Sequence, residues 1–198
     1  DTIVAEPIAG TRPRGSNNSQ DLIFEHELLD NKKERAEHAM LVDLCRNDLG
    51  KVSNYGTVNV KEYCRVDRYS SVMHLVSSVQ GDKKPNVSVS DMIEAIFPGG
   101  TITGAPKPKT MEIISEIEDS PRGPYTGSVG IFGFDNQVTL NIIIRTFIHQ
   151  NGIYQLPVGA GIVHDSIPEK EYEETLSKAE ALINSMDSAL CHSQKSPQ

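Results

Sequence analysis

Two pairs of glutamates at matched spacing are the first residues in this chain that could do chemistry. Glu34 and Glu37 stand three apart in Asn31-Lys-Lys-Glu-Arg-Ala-Glu-His38, and Glu171 and Glu174 stand three apart in Glu171-Tyr-Glu-Glu-Thr175. On a helix, residues three apart share a face, so each stretch presents two carboxylates side by side. Leu41, Leu44 and Cys45 continue the first face. Carboxylates aimed at apolar surroundings are costly unless a cation or partner satisfies them. A plainer reading covers Glu34, because Asn31 as N-cap and Glu34 at the third helical position make a capping-box-like pair. It does not cover Glu37, one turn further in. Glu171 and Glu174 lie where the helix dipole favours a solvated acidic face, a reading that also fits Glu169, Glu173 and Glu180. Two separated carboxylate pairs suit Mg²⁺, a hard ion that takes a few carboxylates, waters and substrate oxygens, and do not suit zinc. The two helices are expected to bring these carboxylates to one magnesium-dependent site.

Other residues offer binding groups. The run Pro98-Gly-Gly-Thr-Ile-Thr-Gly-Ala-Pro106 places Gly99 and Gly104 at the spacing of a phosphate loop, but Ala105-Pro106 stand where Lys-Ser/Thr is required, so it is not a Walker motif. A glycine turn opening onto a helix N-terminus still presents N–H groups to an anion, and Thr101 and Thr103 add hydroxyls. A plain Gly-Gly turn explains the loop equally well. Gly159-Ala160-Gly161 lets a ligand approach the backbone, or marks a bulge. His74 shares a strand face with Val72 and Val76, where a satisfied core histidine is the commoner outcome. Arg145, alone in Ile142-Ile-Ile-Arg-Thr-Phe147, needs a partner; a substrate carboxylate and a structural Asp or Glu are equally good candidates for its planar fork.

The elements that must position these residues follow from periodicity and punctuation. Residues 1–19 read as a turn and a solvated loop, and Asp21 to Leu29 as a short helix. The glutamate helix follows and is expected to stop at Gly50. Thr57 to Val66 and Tyr69 to Val79 read as strands. Ser90 to Phe97 reads as a helix capped by Ser90 or Asp91, and Lys107 to Glu118 as another after the glycine loop. Val129 to Phe134, Val138 to Ile148 and Ile153 to Leu156 read as consecutive strands, with Asp135-Asn136 as a hairpin turn. Val158 to Val163 reads as a glycine-broken strand. The last helix starts at the capping box Ser166-Ile-Pro168-Glu169 and runs to about Met186, ahead of a disordered polar tail over 188–198. Strands cluster in the middle with helices around them. The expected fold is therefore mixed α/β, with antiparallel-rich sheets flanked by helices and no even βαβ alternation. Residues 1–187 are expected to belong to one catalytic domain.

The totals narrow the function. The chain has 198 residues, a net charge of −8 and no long Lys/Arg cluster, which argues against a nucleic-acid partner. No apolar run approaches the roughly 20 residues that span a bilayer, and no signal peptide is visible, so no membrane partner is expected. Cys45, Cys64 and Cys191 are widely spaced and odd in number, which fits a reducing cytoplasmic setting and no disulfide framework. The chain begins at Asp1 and runs straight into motifs, as expected of the C-terminal part of a longer enzyme.

Taken in order, Pro7-Ile-Ala-Gly-Thr-Arg-Pro-Arg-Gly15, Glu34-Arg-Ala-Glu37-His38, Leu41-Val-Asp-Leu-Cys-Arg-Asn-Asp48, Val72-Met-His-Leu-Val76, Phe97-Pro-Gly-Gly-Thr-Ile-Thr-Gly-Ala-Pro-Lys107, Gly123-Pro-Tyr-Thr-Gly127, Ile144-Arg-Thr146, Gly159-Ala-Gly-Ile-Val163 and Glu171-Tyr-Glu-Glu-Thr175 form a pattern. It resembles the chorismate-utilising enzymes, and within them anthranilate synthase component I, over nearly all of residues 5–187. The resemblance implies a partial chorismate-utilising fold, with half of the sandwich and the tryptophan feedback site outside this chain and the fragment alone inactive. It implies a chorismate site with Mg²⁺ held by Glu37 and Glu174, and Glu171 beside them. It makes Glu34 the general acid toward the hydroxyl on ring carbon 4, with His74 hydrogen-bonding near that hydroxyl and aiding the later elimination. Thr11, Thr103 and Gly104 would line the ring site, with Thr103 close to the chemistry. Tyr125, Arg145, Gly159, Ala160 and Gly161 would hold the enolpyruvyl carboxylate. A glutamine amidotransferase would supply the ammonia. One departure stands out: Pro157-Val158 replace the family's usual Gln-Ala before Gly-Ala-Gly, and Pro removes an N–H.

The subtype turns on Ala9. Aminodeoxychorismate synthases resemble this sequence but commonly carry a lysine nucleophile there. Ala9 cannot attack, so ammonia must, which points to anthranilate synthase in tryptophan biosynthesis. Isochorismate and salicylate synthases, which use water, fit the Pro7–Gly15 context less well. A non-catalytic fragment is the alternative from another class.

Overall fold

A computed structural model describes residues 1–164 and 166–193. By its internal contacts the chain divides into two compact units, Asp1–Ile114 and Ser115–Gln198.

In the first unit, β1 (Thr2–Ala5) and β2 (Ile8–Pro13) lead into α1 (Asn18–Asp30) and α2 (Lys32–Val52). Then come β3 (Asn59–Arg68), β4 (Val72–Asp82), α3 (Val89–Ile96), a single turn α4 (Gly100–Thr103) and α5 (Lys107–Ile117), which crosses into the second unit. Strand β4 is central. It pairs antiparallel with β3 on one side and with β1 and then β2 on the other. Strands are long here because β4 is almost wholly covered: Met73, Leu75, Ser77 and Val79 are each fully buried. These alternate residues face the helices. Met73 and Leu75 cluster with Leu28 of α1, and Val79 clusters with Val42 and Leu49 of α2. Burying each such side chain is worth about 1.5–3 kcal/mol.

Local signals explain most helix ends. Asn17 caps α1 by accepting from the Gln20 N–H, and Asn31 caps α2 by accepting from the Glu34 N–H. Helix α2 does not stop at Gly50. It runs to Val52, because Leu49 and Val52 are buried and their burial outweighs glycine's poor propensity. Helix α3 is capped by Ser88, not Ser90 or Asp91. Asp91 is the third helical residue of a full capping box, and its bonds from the Ser88 N–H and hydroxyl hold its carboxyl below the usual range.

The second unit holds two hairpins, β5 (Ser128–Phe132) with β6 (Val138–Ile142) and β7 (Ile148–Gln150) with β8 (Ile153–Gln155), and the long helix α6 (Pro168–Ser193). Asn136 turns the first hairpin at φ +64°. The expected strand over 138–148 is broken: Ile143 makes the last bonds, with Thr126 and Gly127, and Arg145 then takes φ +49°. Residues 158–163 form no strand. Helix α6 passes Met186 and covers 188–193 of the expected tail, while residues 194–198 lie outside the described ones. Both buried hydrophobic clusters belong to the first unit.

Arg14 and Asp21 join the end of β2 to α1. The Arg14 guanidinium bonds both Asp21 carboxylate oxygens, and the Gly15 N–H adds a third bond. Arg14 is the chief cause that lowers the Asp21 carboxyl to about 2, with the Gly15 bond second. A depressed folded-state value means stabilisation that is present above the unfolded value of 3.8 and lost as the pH falls toward 2. Melting temperatures measured from pH 5 to pH 2 should therefore fall more steeply for the parent than for Asp21→Asn, with the two curves converging at the acid end.

Candidate active site

In the first unit, a bulge at Gly10 organises the predicted residues. Ala9 pairs with Leu75, and Thr11 pairs with His74, so the register slips by one between them. Gly10 takes φ +74° there, a backbone that L side chains rarely adopt. The slip moves Thr11 to the sheet face opposite Ala9. Thr11 Oγ1 then lies 3.0 Å from His74 Nδ1, joining two residues 63 apart in sequence. His74 Nδ1 also lies 3.3 Å from the Gly10 carbonyl, which can only accept. Nδ1 thus sits between the Thr11 hydroxyl and the Gly10 carbonyl, which together fix the orientation of the ring. The Tyr69 ring stands beside it, centroids 5.7 Å apart.

Glu34 lies on the other face. Arg12 pairs with Met73 and so points to the helix side, where its Nη1 donates to Glu34 Oε1 at 2.8 Å. Glu34 Oε2 is buried with no hydrogen-bond partner in the protein. The space it occupies exists because residue 10 is glycine: a Cβ there would meet Glu34 Oε2 at 2.9 Å and Leu28 Cδ1 at 2.7 Å. Only half of the expected capping box forms, since the Glu34 carboxylate turns to Arg12. Glu34 therefore lies on the helix side of the sheet and His74 on the other face. Glu37 is exposed and has no ion pair among the described residues. Its neighbour His38 is fully buried, bonds Ser77 Oγ at 2.6 Å through Nε2, and has its pKa lowered by burial.

Thr103 closes the single turn α4, its N–H donating to Gly99 O at 2.9 Å. Gly104 follows at φ +107°. Both are half-buried.

The second unit gathers a different set. Lys178, which the sequence reading passed over, bonds Glu174 Oε1 at 2.7 Å and the Gly159 carbonyl at 3.1 Å. A Cβ on Gly159 would stand 2.8 Å from the Tyr125 hydroxyl, so close approach is real at this glycine. It is not at Gly161, where a Cβ meets nothing within 4 Å. Ala160 lies between them, half-buried. Burial is the main cause that raises the Tyr125 phenol's pKa. Glu171 accepts from the Ser166 hydroxyl at 2.8 Å, so Ser166 serves Glu171 and not the capping box expected with Glu169. Arg145 is not the buried strand arginine that the sequence implied: it is exposed, outside the strand, and without a protein partner among the described residues.

Among the described residues no three His, Cys, Asp or Glu side chains cluster closely enough to hold a metal ion. Glu37 has no competing partner among the described residues, and Glu174 is paired with the Lys178 ammonium. Among the described residues no helix is long and apolar enough to cross a membrane.

Glutamate-bearing helices beside antiparallel sheets define a class. A family profile described as chorismate binding enzyme matches residues 1–184, and the chain belongs to that family. It is 64% identical, over 96% of its length, to "Anthranilate synthase component 1 3" of Haloarcula marismortui, and spans 38% of that relative. It is 52% identical, over 91% of its length, to "Aminodeoxychorismate synthase component 1" of Bacillus subtilis, again spanning 38%. The crystal structure of anthranilate synthase component I from Streptococcus pneumoniae superposes with a TM-score of 0.81 at 40% identity, covering 91% of this chain and 40% of that one.

Two basic residues escaped the sequence reading. Lys178 follows Glu174 by four, and helical pairing at that spacing was a usable signal. Arg12 meets a partner 22 residues away, which no local pattern reveals. Gly10→Ala tests the bulge. The substitution should destabilise the protein by on the order of 1–3 kcal/mol, from strain at positive φ and the clash with Glu34 and Leu28, read from urea unfolding midpoints.

Proposed function

We propose that this chain forms part of the chorismate site of an anthranilate synthase large subunit. The reaction joins chorismate and ammonia, with loss of water and then pyruvate, to give anthranilate for tryptophan biosynthesis. The observation that carries this reading is the 64% identity, along nearly the whole chain, to a protein named anthranilate synthase component 1. Alanine at position 9 supports it over the aminodeoxychorismate reading, because a methyl group cannot attack the ring. Ala9 is 7% exposed and faces the helix side of the sheet, the side on which Arg12 reaches Glu34.

On this reading Glu34 is the proton donor to the departing hydroxyl, through Oε2, the oxygen that Arg12 leaves open. His74 hydrogen-bonds near that hydroxyl and aids the later elimination, its ring oriented by the Gly10 carbonyl and the Thr11 hydroxyl beside Nδ1. Thr11 fixes that ring, and Thr103 and Gly104 line the ring site. Tyr125, Arg145 and the Gly159–Gly161 backbone take the enolpyruvyl carboxylate, with Arg145 supplying the charge. Glu37 in the first unit and Glu171 and Glu174 in the second are the proposed Mg²⁺ carboxylates; the ion would neutralise the ring carboxylate. The ammonia comes from a glutamine amidotransferase partner, and the setting is the cytoplasm.

Two experiments on the enzyme that contains this chain test the assignments. Glu37→Gln and Glu174→Gln should each raise the Mg²⁺ concentration needed for half-maximal anthranilate fluorescence, with unchanged melting. Unaltered Mg²⁺ dependence in both variants would remove the metal assignment. Ala9→Lys should sharply reduce anthranilate formation at saturating ammonia, because a long chain fills the space beside ring carbon 2. Intact-protein mass after incubation with chorismate should show a substrate-derived adduct on a fraction of the folded protein. Undiminished synthesis with no adduct would mean that residue 9 does not face that carbon.

A further inference from the structure

The Phe97–Pro106 loop carries Thr103 and Gly104, yet it has little secondary structure of its own. Its two ends are tied together by one side chain. Lys107, the residue immediately after the loop, sends its ammonium back to the carbonyl of Ile96, the residue immediately before it, at 3.0 Å. The same nitrogen bonds Asp48 Oδ2 at 2.7 Å and lies 3.5 Å from the Ala95 carbonyl. An ammonium has three protons, and three acceptors surround this one. Two of them are carbonyls at the C-terminal end of α3, where a cation is favoured. The third belongs to a carboxylate on α2 that is 7% exposed. Asp48 also takes Lys51 Nζ on its other oxygen at 3.0 Å.

The loop is packed onto this pair. A Cβ on Gly100 would lie 3.5 Å from Lys107 Cε and 3.6 Å from Leu44 Cδ1, so the start of α4 rests between the lysine stem and α2. Ile102, Thr103 and Gly104 then donate their N–H groups to the Gly99 and Gly100 carbonyls within the same turn.

We propose that Lys107, anchored by Asp48, is a positioning residue that closes the Phe97–Pro106 loop and thereby fixes Thr103 and Gly104 for substrate. The inference rests on the proposed reading of Thr103 as a substrate-site residue; the closure itself does not. Breaking the pair frees one end of the loop while the lysine stem, kept as methionine, can still pack against Gly100.

Two measurements on the enzyme that contains this chain separate these levels. In Lys107→Met, amide exchange at Ile102, Thr103 and Gly104 should speed up by about tenfold or more, with β4 amides unchanged. Lys51→Met, which removes the outer partner of Asp48, should leave those amides as they are. If Lys107→Met does not fold, Asp48→Asn carries the same expectation. Unchanged loop exchange in a folded variant overturns the closure. The second measurement is a double-mutant cycle in kcat/KM for chorismate with Thr103→Ala. If Lys107 acts through Thr103, each single variant should lose about tenfold or more and the double variant little beyond the worse single one, while their effects on Tm add. Losses that multiply independently overturn the positioning role. A parent enzyme that fails to convert chorismate with ammonia would defeat the proposed function, and the exchange result would still decide the closure.

Discussion

Strand β4 is the constraint on which the first unit depends. It is buried along most of its length, so every polar group it carries must find a partner inside the protein. Ser77 shows how this is met. Its Oγ accepts from the Cys64 N–H at 3.0 Å and bonds His38 Nε2 at 2.6 Å. One hydroxyl thus ties the bulged part of β3, where Cys64 takes φ +55°, to the middle of α2. His38 is fixed in turn, and with it the rotation of α2 about its own axis. That rotation aims Glu34, one turn earlier, at β2. A core packing requirement therefore sets the direction of a proposed catalytic carboxylate.

The strand's alternation distributes the remaining roles. Residues facing the helices are apolar or satisfied, whereas His74, between Met73 and Leu75, must face the other way. Thr11 reaches it only because the chain slips at Gly10. Without the bulge Thr11 would lie on the same face as Ala9. The glycine thus does two jobs at one position. It changes the face on which the threonine appears, and it leaves room for the Glu34 carboxylate on the opposite side.

Much of this was legible in the sequence. Period and punctuation gave α1, α2, α3, α5, β3 and β4 of the first unit, whereas residues 1–19, which read as a turn and a solvated loop, form β1 and β2 because they pair with β4, some 60 to 80 residues away. Asn31 was readable as a cap, since capping is local. The failures share a cause. Gly50 read as a stop, but tertiary burial of Leu49 and Val52 carried α2 past it. The apolar run around Arg145 read as one strand, but pairing with Thr126 and Gly127 ends at Ile143 and the backbone turns. The face of Thr11, and so its meeting with His74, depended on a one-residue bulge at Gly10. None of these is encoded within a window of neighbouring residues. The ordered motifs succeeded where windows failed because they sample the whole chain at once.

Charge pairing shows the same limit from the other side. The sequence reading singled out acidic residues as chemistry and left their cations unassigned. In the structure Glu34 has Arg12, Glu174 has Lys178 and Asp48 has Lys107. In a chain of net charge −8, the partly buried Glu34 and Asp48 are each met by a cation, which offsets the cost of removing their charge from water. The three cations differ in what else they do. Arg12 also donates to the Thr11 carbonyl at 2.9 Å, so it couples Glu34 to the strand that carries Thr11. Lys178 also takes the Gly159 carbonyl, so it couples Glu174 to the glycine segment. Lys107 also takes the end of α3, so it couples Asp48 to a loop. In each case a carboxylate on a helix is joined, through one basic side chain, to backbone that could not otherwise be held by a helix. A substituted cation would therefore change loop geometry as well as charge, and loss of charge on the acid alone would remove the anchor that aims the cation at its backbone contact.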